Sequence, residues 1–230
     1  SMGTPLDGIK VLDLSQGVAG AYCTKLLAGF GADVLKIEPP IVGESTRRLS
    51  PFAGDKPGVE QSLTHLYLNT GKRSITLDVE TVEGQNVFRR LAADADLIIE
   101  SSIPGTMDNV GLDFDQLSVD NPGLVMTSIT FFGQDGPYSQ YKGEEIIAQA
   151  ISGNLQITGS PDREPLMVGD YLAQYVGGQA ACVSALMAVF HSMMFGEGQS
   201  VDCSIIEANT DLLDRWGIDA VLGRADQPRT

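Results

Sequence analysis

The 230-residue chain is 43% hydrophobic and 20% charged, carries 26 glycines and has a formal net charge of -15, an ordinary globular composition with room for one large α/β domain or two small ones. Its acidity argues against a nucleic-acid surface or an anionic membrane as partner, since both want a basic face, so an anionic ligand must be met by local cations. Three widely spaced cysteines and two histidines leave little material for a disulfide framework, a zinc site or a Ser-His-Asp relay, and predict buried thiols in a reducing compartment.

The opening SMGTPLDG lacks the basic and apolar regions of a signal peptide. Apolar runs then alternate with helical patterns: IKVLDL (9–14), ADVLKIE (32–38), SITLDV (74–79), DLIIES (96–101) and LVMTSITFF (124–132) read as strands buried on both faces. Between them AGAYCTKLLAGFG closes on glycine, TVEGQNVFRRLAADA opens on a threonine able to cap, and DFDQLSVDNP stops at proline. The loop from Pro39 to Gly71 is long for a compact domain, which signals a functional or partner-contacting segment. From Tyr171 to Phe195 the apolar residues recur at steps of three and four over a background of Ala, Cys and Ser, predicting a helix buried on most sides. His191 near its end reads as a packed residue. The longest near-continuous apolar stretch, AACVSALMAVF, is too short to span a bilayer, and the expectation is a cytoplasmic protein. FGEGQSVDCSII turns into a sixth strand, EANTDLLDRWGIDAVLG forms a last helix, and the chain ends on RADQPRT without a closing element. Alternating strand and helix predicts an α/β fold, a mostly parallel sheet with helices on both faces.

Four stretches can carry chemistry. DLSQGVAGAYC follows the first strand, where helix N–H groups can meet a phosphate; Gly17 and Gly20 do not make a GxGxxG, although Glu38 ends the second strand where a ribose-binding acid would sit. A nucleotide-type ligand and a plain tight turn both remain open there. NTGKRSITLDV sets Lys72 and Arg73 before a strand, either as a solvated turn or as cations for phosphate. FFGQDGPYSQYKGEEIIAQAISG enters a helix at Glu144 and Glu145, where the macrodipole favours acids. PLMVGDYLAQYV puts Asp170 before the long helix, where it can cap or act as a reagent.

Taken in order, PLDGIKVLDLS, GADVLKIEPP, NTGKRSITLD, PGTMDNVGL, GQDGPYSQY, VGDY and GEGQSVDCSIIEA resemble the family III CoA-transferases of the CaiB/BaiF type, from about Pro5 to Ala208. The resemblance implies a Rossmann-like sheet forming the N-terminal portion of the large domain of an interlocked dimer, over residues 1–230, with the small domain and returning C-terminal segment absent. It implies transfer of coenzyme A between an acyl-CoA and a carboxylic acid, without a metal, in a homodimer or with another polypeptide. Its catalytic aspartate falls on Asp170, with Glu145 a further catalytic position. CoA contacts fall on Val18, Ala19, Asn69, Lys72, Arg73, Ser101, Ser102, Asn109 and Lys142. Pro39 and Asn109 stand where relatives have arginines.

A carboxylate suits such chemistry because the acyl group must stay as activated as a thioester, which a serine ester would not allow. Asp170 is expected to draw on its helix's N-terminal field while Leu172 and Val176 partly desolvate it. Two alternatives stay open: a racemase of the same family, for which Glu144 is the matching base, and a non-catalytic CoA-binding or partner subunit.

Overall fold

The computed structural model describes residues 3–213 and 221–223. The leading Ser1 and Met2, the closing RADQPRT and residues 214–220 of the last expected helix lie outside the described residues. Its six strands are β1 Lys10–Asp13, β2 Asp33–Glu38, β3 Arg73–Thr76, β4 Leu97–Glu100, β5 Val125–Thr130 and β6 Ser200–Ser204. They pair in parallel throughout, in the order β3-β2-β1-β4-β5-β6. The chain leaves β1 in one direction to build β2 and β3 and returns to β1's other side for β4. The crevice above the carboxyl ends of β1 and β4 is therefore the topological switch point, where open α/β sheets bind ligands.

Burial follows strand alternation. Val11, Val34, Leu97, Ile99, Val125 and Ile129 face α1 (Val18–Gly29) and α8 (Leu172–Phe195), while Leu12, Ile37, Ile98 and Met126 face Phe88 and Ala92 of α3 (Val82–Ala92). The expected helices form: Thr81 caps α3 as expected, accepting the N–H of Gly84, and Asp113 likewise accepts that of Gln116 at the start of α5 (Phe114–Leu117). Three short helices had no periodicity to betray them: α2 (Leu63–Leu68), α4 (Thr106–Asn109) and α7 (Asn154–Ile157). α6 (Glu145–Ile151) begins where the acidic pair predicted it, and α9 covers Ile205–Asp211. β3 starts at Arg73 and stops at Thr76, since beyond Thr76 the edge of the sheet offers no partner strand.

α8 departs from expectation. Its inner face buries Ala173, Gly177, Gly178, Ala181, Ala185 and Ala188, small residues that let it cross α1 closely: a Cβ at Gly178 would lie 2.4 Å from the Ala19 carbonyl. Its outer stripe of Val183, Met187, Phe190 and Met194 is exposed, so the helix is covered on one side by this chain, not on most. With 24 residues and a mean hydropathy of 1.4 it is also long and apolar enough to cross a bilayer, a length the AACVSALMAVF run alone understated. His191 is half-buried at its far end, its ring 4.7 Å from that of Phe195.

Candidate active site

The segment between β2 and β3 is folded onto the first βα turn by a buried charge network. Asp13, fully buried, accepts from Lys36 Nζ (3.1 Å), Thr24 Oγ1 (2.5 Å), Ser15 Oγ (2.6 Å) and Lys72 Nζ (3.3 Å). Burial pushes the Asp13 carboxyl up, but Lys36, Lys72 and the hydroxyls outweigh it and hold the group at about 2. Glu44, also fully buried, accepts the Gly17 N–H at 2.8 Å, the Thr46 N–H at 3.1 Å and the hydroxyls of Ser45 and Thr46, with His65 Nδ1 3.4 Å away. Glu38 takes Arg47 through both Nε (2.7 Å) and Nη2 (2.8 Å). Against the desolvation that raises them, Arg47 and Ser74 hold Glu38 at about 2, and His65, Lys36 and local donors hold Glu44 at about 2.

This disposes of a dinucleotide at the usual place. The N–H at the mouth of α1 that would meet a pyrophosphate donates to Glu44, and the acid that would meet a ribose is paired with Arg47. The Pro39–Gly71 loop is thus an inner wall of the domain, and the turn at Gly17 has its own carboxylate.

All three acids have folded values below their ordinary 3.8 or 4.5, so the stability they contribute is complete above those ordinary values and is lost as pH falls toward about 2. The melting temperature is expected to hold from neutral pH to about 5 and then to drop steeply. Calorimetry across that range checks it: an unchanged melting temperature down to about pH 2.5 would remove the network from the stability of the fold.

The residues that the resemblance points to fall into separate places. Ala19, Ser101, Ser102 and Lys142 line one cleft of about 280 Å³ at the switch point, together with Gln16, Glu144 and Gln174. Ser101 ties the β1 and β4 loops across it, accepting the Gln16 N–H at 2.8 Å and donating to the Gln16 carbonyl at 3.1 Å. Lys142 is exposed there and forms no ion pair among the described residues. Val18 lies beneath, buried, its N–H donating to Gln174 Oε1 at 3.3 Å.

Lys72 is elsewhere. Its side chain is buried, and Nζ donates to the Ala21 carbonyl (2.9 Å) and to Asn69 Oδ1 (2.8 Å) besides Asp13; burial lowers it to about 8 against the pull of Asp13. Arg73 points to the opposite face of the sheet and forks onto Asp33. Asn109 is exposed at the end of α4, and Pro39 ends β2's exit with its carbonyl on Gly43. A second cleft, about 460 Å³, opens beyond Ile103 and is lined by Glu100, Asp108, Asp113 and Asp115; its carboxylates would repel phosphates.

Asp170 is not the cap of α8. The N-cap position is Tyr171, with no side-chain cap of its own, and the orphan N–H groups are met from a distant helix. Glu145, buried, accepts from Ala173 N (2.6 Å), Gln174 N (3.3 Å) and Gln149 Nε2 (2.8 Å). Asp170 instead sits one residue outside the helix with φ 64, a left-handed backbone uncommon for a residue with a Cβ. It is exposed and makes no hydrogen bond or ion pair with the described residues, so the desolvation expected from Leu172 and Val176 is not supplied by the described residues. It lines an open cleft of about 550 Å³ with Tyr22, Pro51, Leu63, Thr64, Tyr67 and Tyr175. Those tyrosines, and Glu44, were missed from the sequence. The one available signal was an aromatic residue in each of two helices otherwise facing each other with small side chains. Neither histidine lines this cleft or the Lys142 cleft.

Comparison with known proteins shows the family and the fold. The family model "CoA-transferase family III" matches residues 6–230. Succinyl-CoA:(R)-benzylsuccinate CoA-transferase subunit BbsE of Thauera aromatica is 38% identical over 227 residues, 97% of this chain and 55% of that protein. Succinate–glutarate CoA-transferase of Agrobacterium fabrum is 38% identical over 211 residues, 91% of this chain and 53% of that protein. A crystal structure of a CaiB/BaiF family protein from Brucella suis superposes with a TM-score of 0.92 at 35% identity, covering 100% of this chain and 60% of that one. The chain spans about half the length of the curated relatives it matches.

Proposed function

Because the chain belongs to CoA-transferase family III, we propose that it carries the nucleophile of an enzyme that moves coenzyme A from an acyl-CoA to a free carboxylic acid, with Asp170 as that nucleophile. The observation that carries this reading is the state of Asp170: an exposed carboxylate without a partner among the described residues, on a left-handed turn, just ahead of the Tyr171 N-cap of a 24-residue helix. A strained turn that presents one reactive side chain is a feature of functional sites.

Asp170 attacks the thioester carbonyl and expels the CoA thiolate, leaving a mixed anhydride. The thiolate attacks the aspartyl carbonyl, releasing the first acid and leaving an aspartyl-CoA thioester on residue 170. The acceptor carboxylate attacks that thioester, and the thiolate expelled then attacks the acceptor's carbonyl, which restores the Asp170 carboxylate. Every bond formed is matched by one broken, and no external reductant or metal is needed.

The acyl-CoA fits the switch-point cleft in chemistry. Ser101 and Ser102 offer hydroxyls, and Lys142 is a cation without an ion-pair partner among the described residues, suited to a phosphate. Lys72 and Asn69 act from inside, holding the wall that carries Tyr67. In the working assembly, a second copy or another polypeptide completes the site around Asp170.

The test is exchange: the native assembly, given an acyl-CoA and an isotopically labelled acid, should place label in a CoA thioester. Hydroxylamine or borohydride added during turnover should modify the peptide containing Asp170. Exchange that leaves that peptide unmodified while another is labelled would refute the assignment, and no exchange with any acid would refute the function.

A further inference from the structure

We propose that Gln149 is a positioning residue for the nucleophile: its buried amide grips the backbone of Val168 and so fixes the turn on which Asp170 stands. The inference rests on the reading of Asp170 as nucleophile and adds a residue that acts on the reaction through it.

Gln149 lies on α6 with no exposed surface. Its Nε2 donates to the Val168 carbonyl at 3.0 Å, and its Oε1 accepts the Val168 N–H at 2.9 Å. The second N–H of the amide goes to Glu145 Oε1 at 2.8 Å, one helical turn back on the same face of α6. Val168 presents one donor and one acceptor and the Glu145 carboxylate only acceptors, so the side chain between them must offer two N–H groups and an oxygen on one plane. A primary amide does; a hydrocarbon offers none of these, and an ionised carboxylate offers no donor.

Glu145 grips the far side of the turn through the N–H of Ala173 at 2.6 Å. Asp170 therefore stands between two anchors, two residues after Val168 and three before Ala173, and both anchors belong to α6. The approach is otherwise loosely fastened: Leu166 N–H donates to the Thr158 carbonyl at 3.2 Å, and Val168, Gly169 and Asp170 are exposed. A residue with a Cβ stays at φ 64 when its surroundings over-determine the backbone, and the two grips supply that constraint.

Gln149 lines neither the Asp170 cleft nor the Lys142 cleft, so it works through the turn and not on a substrate. α6 itself begins directly after Lys142 and Glu144, which line the switch-point cleft. One short helix thus follows the wall of that cleft and holds both flanks of the nucleophile, which sets the distance between them. A displacement of about 1 Å at a reacting group costs on the order of 100-fold in rate, even where binding is untouched.

The experiment uses Gln149→Met, which keeps the length of the side chain and removes the three hydrogen bonds, in the native assembly and below its melting temperature. We expect kcat to fall about 100-fold with the KM for acyl-CoA unchanged, and the peptide containing Val168 to exchange its amide hydrogens faster. Gln149→Glu is the second variant. Two carboxylates so close share a proton that is lost as pH rises, and only the protonated form donates, so its kcat relative to the parent should rise from about pH 8 to about pH 6. A ratio that stays flat would overturn the proposal. So would unchanged exchange at Val168 in Gln149→Met, or a lower melting temperature with the parent kcat. The two readings fail separately. Transfer by Asp170→Asn at the parent rate would discard the nucleophile and the purpose of the grip, whereas faster exchange at Val168 with the parent kcat, in an enzyme that needs Asp170, would discard the positioning role only.

Discussion

Asp170→Asn is expected to abolish CoA transfer while leaving the melting temperature almost unmoved. The amide keeps the shape of the side chain and tolerates a left-handed backbone as well as aspartate does, but it cannot form the anhydride. Removal of a covalent nucleophile costs on the order of 10⁴-fold or more in turnover. Because the carboxylate is exposed and has no partner among the described residues, the stability change should stay within roughly 0.5 kcal/mol. Asp170→Gly should be as inactive and yet more stable, by up to about 1 kcal/mol, since glycine occupies φ 64 without strain. Denaturation midpoints and exchange rates of both variants check this. An Asp170→Asn protein that transfers CoA at near the parent rate, or that melts far earlier, would return the residue to a structural role.

Glu145 should behave in the opposite way, losing stability and activity together. Glu145→Ala leaves the N–H of Ala173, a fully buried residue, without its 2.6 Å acceptor and frees Gln149 and Gln174. The loss of the cap and an unsatisfied buried donor together should cost about 2–3 kcal/mol. Transfer should fall through both kcat and KM, because the start of α8 follows Asp170 and also carries Gln174, which lines the Lys142 cleft. Glu145→Gln retains an acceptor oxygen and should recover most of both properties. If instead Glu145→Gln kept the parent melting temperature and lost transfer completely, Glu145 would be touching the reacting atoms, as the family resemblance implies.

The contrast between these two acids shows where sequence reasoning reaches and where it stops. β1, β2, β4, β5 and β6, the cap at Thr81 and the long helix are all local patterns, periodicity or a side chain reaching two or three residues along, and they were legible. The cap of α8 was not, because a carboxylate one residue from a helix looks the same as one that arrives from 28 residues away. The same holds for Lys72, whose burial depends on Asp13, 59 residues back. A basic turn and a buried cation have the same letters, and the difference lies in which partner the topology brings. The fold of the Pro39–Gly71 segment stayed hidden for a further reason: α2 has only six residues, too few for a helical period, and what orders the segment is a set of charges on its inner side. Asp170 was singled out through neighbouring motifs and not through its own environment, which no run of sequence describes.

That inner wall has a thermodynamic reading. In an enzyme that holds a nucleotide at the mouth of its first helix, ligand binding and stability are linked, so the empty protein is the weaker one. Here the Gly17 N–H and Glu38 are already met by Glu44 and Arg47, occupants joined to the chain and therefore never diluted. Nicotinamide dinucleotides should confer no thermal protection, and the first βα turn should be equally protected from hydrogen exchange with and without acyl-CoA. Ligand-dependent ordering is left to the opposite rim of the crevice, the loops that carry Ser101 and Lys142.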